Sequence, residues 1–190
     1  MKILQLAFSG ALALATLTGG AFAQSSENLL TIQLKDGPVV IELRPDVAPK
    51  HVQQIKELAA AGEYDNVAFH RVIKGFMAQT GDVQYGDMKD GFQAELAGTG
   101  GSSKPDLPAE FSDVPFERGT VGMARAQSPD SANSQFFIMF APGDFLNGQY
   151  TVVGKVIEGM ENVDKIKLGD EAGNGAVNDP DRMISVKVGK

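Results

Sequence analysis

What most constrains this chain is a succession of short β-like runs punctuated by turn residues, with no cysteine to staple them together. Leu29-Leu30-Thr31-Ile32-Gln33-Leu34 and Val39-Val40-Ile41-Glu42-Leu43 are strand-like and join through Asp36-Gly37, a strong hairpin signal. Similar runs follow at Val67–Ile73, Met77–Gln79, Gly119–Ala124, Ser134–Phe140, Tyr150–Ile157 and Ile184–Val188, while Gly81–Pro108, rich in Gly, Ser and Pro, reads as irregular. Two stretches read as helices. In RPDVAPKHVQQIKELAAAGEY, Pro49 suits a first helical position, Val52, Ile55, Leu58 and Ala59 share one face, and Gly62 supplies the stop. His51 falls in the first turn of that helix and is expected to be solvated. Met160, Val163 and Ile166, spaced by three, mark a second helix over Met160–Leu168. Many short strands with two helices point to a barrel or sandwich; closing the sheet would hide its edges. There is no internal repeat, and no linker is long enough to divide the chain.

The 190 residues, 43% of them hydrophobic, suit one globular domain. A net charge of −7 argues against a nucleic-acid or anionic-membrane partner, since both attract basic surfaces. The N-terminus, MKILQLAFSGALALATLTGGAFAQSS, has a basic residue at Lys2, an apolar run, and Ala21-Phe22-Ala23 as an A-x-A cleavage signal. Its polar and glycine residues make it a poor membrane span. The expected division is therefore a signal peptide over 1–23 and one domain over 24–190, exported to a periplasm or released from the cell, the periplasm being the favoured reading, with no stable membrane insertion.

The usual catalytic equipment is missing. Without cysteine there is no thiol chemistry, and the two histidines, His51 and His70, have no ligand-like spacing. No nucleophile elbow or P-loop occurs, and GTGGSS (Gly98–Ser103) lacks the strand-to-helix setting of a phosphate loop. Neither a cofactor nor a metal is expected. What stands out is FHRVIKGFMAQTGD (Phe69–Asp82), which places Arg71 among bulky apolar residues. A two-residue Lys74-Gly75 loop would set Arg71 opposite Ala78; a three-residue Lys74-Gly75-Phe76 loop would set it opposite Gln79. Residues two apart share a strand face, so the second register groups Arg71, Ile73, Met77 and Gln79. His70, one residue from Arg71, faces the other way and is expected to be a satisfied structural histidine.

FHRVIKGFMAQTGD resembles the FHRVIxGFMxQGGD signature of the cyclophilin family of peptidyl-prolyl cis-trans isomerases. GTVGMARAQSPDSANSQFFIMF resembles that family's second signature, and FLNGQYTVVGKVIEGM its third, in the same order and at similar spacing. The resemblance covers essentially the whole chain after the leader. It implies a mainly β fold: a closed eight-stranded antiparallel barrel capped by two α-helices. It also favours the register that pairs Arg71 with Gln79.

The resemblance further implies that Arg71 is the catalytic arginine, steadied by Gln79. Phe76, Met77, Phe137 and Leu146 match the walls of the family's proline pocket. Ala124, Arg125 and Ala126 match the strand that binds the substrate peptide, with Gln135 beside it. Phe145 stands where many eukaryotic members have Trp, and Tyr150 where they often have His. The implied partners are proline-containing unfolded or partly folded polypeptides, bound by a monomer. Two rival readings are a non-catalytic proline-peptide-binding or holdase module using the same groove, and a small-ligand carrier barrel of lipocalin type. One departure is the segment Val83–Ala97, longer than the usual family loop by about ten residues.

The leader reading predicts that the exported protein begins at Gln24. Intact-mass analysis of exported material checks this, and a retained Met1 would refute it.

Overall fold

A computed structural model describes residues 26–89 and 91–189; the leader over 1–23 and the cleavage site lie outside the described residues. The elements run β1 (Leu29–Leu34), β2 (Gly37–Leu43), α1 (Pro49–Ala60), β3 (Arg71–Ile73), β4 (Met77–Thr80), β5 (Thr120–Met123), β6 (Phe136–Met139), β7 (Val152–Glu158), α2 (Met160–Val163) and β8 (Ser185–Val188). All pair antiparallel in one sheet, in the order β3-β4-β6-β5-β7-β2-β1-β8. The β1–β2 hairpin pairs Leu34 with Gly37, so its two-residue turn is Lys35-Asp36, one position before the expected Asp36-Gly37.

Period-two alternation gives the curled sheet two different faces. Ala78, Val121, Met123, Phe136, Ile138 and Val153 point into the main core with Ile32, Ile41 and the apolar face of α1. Their chain neighbours Met77, Phe137, Met139 and Val152 point the other way, into a second cluster with Phe116 and Leu146. The main core is filled: the space between Leu30, Ile41, Ile55, Phe136 and Val153 has no room for a water molecule. A carrier barrel needs an empty interior, so the packing counts against that reading.

The expected closed barrel is corrected to an open half-barrel. The three residues of β3 and four of β8 form the two ends of the sheet and do not pair with each other. Irregular chain occupies the seam instead, through single bridges such as Ala68 with Arg182 and Arg71 with Ala176. Backbone bonds from Phe69 N–H to Asp181 O (2.8 Å) and from Val72 N–H to Gly175 O (2.8 Å) satisfy edge groups that a closing strand would have taken.

Helix α1 follows the sequence closely. Pro49 sits at its start, and Val52, Ile55, Leu58 and Ala59 are buried. Gly62 adopts φ +74°, with Gly62 N–H donating to Ala59 O and Glu63 N–H to Leu58 O, a Schellman stop. The second helix is shorter than expected. After Val163 the chain tightens into three-residue turns, Lys165 N–H to Asn162 O and Ile166 N–H to Val163 O. Ile166 thereby stays buried while Lys167 N–H turns to the Asp181 carboxylate at 2.8 Å.

His51 is not solvated but fully buried. Ala48 provides no side-chain cap to α1. Glu110, 59 residues beyond His51, does so: its carboxylate accepts the backbone N–H groups of Lys50 and His51 at 3.1 Å and meets His51 Nδ1 at 2.7 Å. Burial opposes ionisation of Glu110, but the His51 ring and these N–H groups outweigh it and hold the carboxyl below its ordinary value. A depressed carboxyl contributes stability above the ordinary glutamate pKa of about 4.3, and that contribution is lost as pH falls through the lower folded value. Glu110→Ala should therefore destabilise the fold by about 1–3 kcal/mol at pH 7. Urea unfolding of both proteins checks this; the difference should shrink below about pH 4.

Candidate active site

The β3–β4 hairpin builds the centre of the site. Its register pairs Arg71 with Gln79, Val72 with Ala78 and Ile73 with Met77, so the loop has the three residues Lys74-Gly75-Phe76. Phe76 N–H closes the turn onto Ile73 O at 3.0 Å, with Gly75 at φ +69°. Arg71 and Gln79 consequently stand side by side on the face opposite the main core.

A directed chain of hydrogen bonds runs through them. Arg71 Nη1 donates to Gln79 Oε1 at 3.2 Å, Gln79 Nε2 to Gln135 Oε1 at 2.9 Å, and Gln135 Nε2 to Gly100 O at 2.8 Å. On its other side the guanidinium donates from Nε to Asn174 O and from Nη2 to Asn174 Oδ1, both at 3.0 Å. These bonds use three of its five N–H groups and leave two for the pocket. Burial lowers the Arg71 pKa from its ordinary value, against a smaller upward influence from Tyr150. Arginine nevertheless remains a cation at any working pH.

Arg71 opens onto a cavity of about 280 Å³. Met77, Phe137 and Leu146 form its buried floor, with Phe76, Phe145 and Tyr150 at its rim. The rings are mutually braced: Phe76 against Phe145 at 5.4 Å, Phe137 edge-on to Tyr150 at 6.0 Å, and Phe116 stacked behind Phe137 at 5.7 Å. That stack depends on Gly122, where an added Cβ would lie 2.5 Å from Phe116 and 2.6 Å from Phe137. Phe145 is 65% exposed, a large aromatic surface free for contact.

Gln79, Ala124 and Arg125 also border an adjoining groove of about 640 Å³, which Ala126 and Gln135 line. The twelve residues expected at the site thus fall on two contiguous cavities. Ala124 N–H is bonded to Gln135 O and Ala126 N–H to Ser131 Oγ. Arg125 presents its main chain between them, and its side chain is pinned to the carbonyls of Ala126, Gln127 and Gln149, 4.5 Å above the Tyr150 ring.

His70 lies on the opposite strand face and is buried, but the expectation of a satisfied histidine is corrected: neither ring nitrogen meets a partner with hydrogen-bond geometry among the described residues. Burial holds its pKa below the ordinary imidazole value despite the nearby Asp82 carboxylate. Asp82 itself is fully buried and accepts four backbone N–H groups, from Gln84, Tyr85, Gly98 and Gly100. It ties together both ends of the long segment Val83–Ala97 and fixes the Gly100 carbonyl at which the hydrogen-bond chain ends.

Asn174 is the site residue that the sequence reading does not find. It lies 103 positions beyond Arg71, between the second helix and the last strand, and its one local signal is the Asn-Gly turn dipeptide. Among the described residues, no group of three or more His, Asp or Glu side chains is placed to hold a metal ion.

A family model described as cyclophilin type peptidyl-prolyl cis-trans isomerase matches residues 29–188. A probable peptidyl-prolyl cis-trans isomerase from Brucella suis is 66% identical over 168 residues, which cover 88% of this chain and 86% of the relative. Among solved structures, cyclophilin AquaCyp293 from Hirschia baltica is similar at 26% identity and TM-score 0.71, over 86% of this chain and 74% of the other. A Cryptosporidium parvum cyclophilin type peptidyl-prolyl cis-trans isomerase, determined in the presence of the dipeptide ala-pro, is similar at 27% identity and TM-score 0.72, over 85% and 99%. Signature motifs, half-barrel and matched span agree: the chain belongs to the cyclophilin-type peptidyl-prolyl cis-trans isomerases.

Proposed function

We propose that this isomerase accelerates rotation about X-Pro bonds in exported polypeptides, and that Arg71 stabilises the twisted imide. The arrangement that carries the reading is a cationic guanidinium held by neutral amides at the mouth of an apolar, aromatic-walled pocket. Rotation breaks no covalent bond and needs neither nucleophile nor base. Its barrier, about 20 kcal/mol, comes from lost amide resonance. In the twisted state the proline nitrogen becomes pyramidal and regains a lone pair. A donor aimed at that lone pair binds the transition state more tightly than either planar isomer.

Uncatalysed exchange takes tens to hundreds of seconds. A turnover of about 10³ per second therefore requires about 7 kcal/mol of transition-state stabilisation. One charge-assisted hydrogen bond contributes about 1.5–3 kcal/mol. The remainder falls to the pocket: Met77, Phe137 and Leu146 favour the less polar twisted amide, and the main chain at Arg125 holds the flanking peptide. The ala-pro dipeptide named with the Cryptosporidium relative supports a proline-sized ligand here. The A-x-A leader supports an exported, periplasmic setting, with unfolded or partly folded chains as clients.

Arg71→Ala is expected to lower kcat/KM on a short X-Pro peptide by at least about a hundredfold, equivalent to about 2.7 kcal/mol. Its half-exposed position should leave the fold intact, as circular dichroism would verify. Near-wild-type activity in a folded variant would sink the mechanism. Retained peptide binding by the unmutated protein, with no isomerisation, would support a holdase instead.

A second expectation concerns pH. Burial extends the neutral form of His70 below its ordinary pKa of about 6.5, while Arg71 stays charged. No proton transfer enters the step, so kcat/KM should be flat from about pH 7 to 9, far from both transitions. A bell-shaped profile over that interval would indicate acid–base chemistry.

A further inference from the structure

We propose that Asn174 is a positioning residue for Arg71, fixing the guanidinium so that its two remaining N–H groups face the pocket. The inference rests on the reading of Arg71 given above and deepens it. Asn174 grips the guanidinium at two points with two different oxygens, the main-chain carbonyl on Nε and the side-chain carbonyl on Nη2. Together they define a plane, whereas Gln79 alone, with a single bond to Nη1, would leave the group free to swing.

The backbone is arranged to make that grip possible. Asn174 has φ +54°, a left-handed conformation that asparagine tolerates better than most L residues. Its neighbour Gly175 is buried at φ +81°, and an added Cβ there would stand 2.5 Å from Ile73 Cγ1. The turn is stitched to the very strand that carries the arginine: Val72 N–H donates to Gly175 O at 2.8 Å, and Gly169 N–H donates to Val72 O at 2.9 Å. Within the turn, Gly175 N–H and Gly173 N–H both donate to Asp170 O. Clamp and guanidinium are thus mounted on one frame.

The chemistry of the clamp fits its task. Both side chains holding the guanidinium, Asn174 and Gln79, are neutral amides, and Arg71 forms no ion pair among the described residues. A carboxylate would fix the group equally well, but it would offset the positive charge that the twisted imide nitrogen requires. Amide oxygens orient the cation without neutralising it.

Asn174→Gly is the clean test, because glycine accepts the positive φ and keeps the main-chain carbonyl while deleting the side-chain grip. Isomerisation of a short X-Pro peptide, followed by NMR exchange spectroscopy, is compared in four proteins: wild type, Asn174→Gly, Arg71→Ala and the double variant. We expect kcat to fall about tenfold in Asn174→Gly with KM changed less than about twofold, the signature of a contact that matters in the transition state. In the Arg71→Ala background the same change should alter kcat/KM by less than about twofold, because its only route of action is gone. Unchanged kcat in Asn174→Gly beside an impaired Arg71→Ala protein overturns this inference alone. A tenfold loss that persists in the Arg71→Ala background also overturns it and marks Asn174 as merely structural. An active Arg71→Ala protein overturns both this inference and the catalytic reading of Arg71.

Discussion

The cross-strand pairing of Arg71 with Gln79 is the constraint on which the site depends. A strand alternates its side chains strictly, so this one register places the arginine, Met77 and Gln79 on the pocket face and sends Val72 and Ala78 to the core. A slip of one residue would bury the guanidinium among aliphatic side chains and turn the aromatic-walled pocket inside out. The main core therefore does more than stabilise: by demanding Val72, Ala78, Phe136 and Ile138 on its side, it fixes the orientation of every pocket residue on β3, β4 and β6. Packing of the inner face and chemistry of the outer face are two readings of one alternation.

Features set by local pattern were legible in the sequence. A hairpin around Gly75, the apolar face of α1, and its proline start and glycine stop follow from residues close together in the chain, whereas the three-residue loop that pairs Arg71 with Gln79 was chosen by the family resemblance. The twelve expected site residues also converge on two adjoining cavities, because their motifs lie on neighbouring strands. What failed were contacts across long sequence distances. His51 looked like an ordinary first-turn residue because nothing nearby announces Glu110, which reaches over the helix end from 59 positions away. Asn174 was invisible for the same reason, being joined to Arg71 only by the folded seam. The helix at Met160 was overextended because spacing by three is shared by α-helix and by the tighter turns that follow it.

The open seam of the half-barrel acquires a meaning from this. A regular strand between β3 and β8 would satisfy the same edge groups, yet it would present alternate side chains at fixed intervals and no left-handed turn. The irregular segment around Gly175 satisfies those groups and also brings an amide to the guanidinium. Closure is given up where departure from regular pairing brings the Asn174 amide to Arg71.

Asp82 has a comparable reach. One buried carboxylate gathers the backbone at both ends of the long segment, and inner bonds from Ala68 N–H to Gly86 O and from Met88 N–H to Asn66 O secure its first part to the sheet. From Gln93 onward the segment is tied to the groove, since Gln93 N–H donates to Tyr85 O and Leu96 O accepts both the N–H and the hydroxyl of Thr99, which lines it; only the run between Lys89 and Gln93 lies outside these bonds. Loop-closure entropy grows only slowly with length, by about 0.6 kcal/mol for each doubling. The run between Lys89 and Gln93 is consequently a graft point: evolution can lengthen it, and an engineer can splice in a foreign epitope or targeting peptide there, with the bonds that hold Thr99 and the groove left in place.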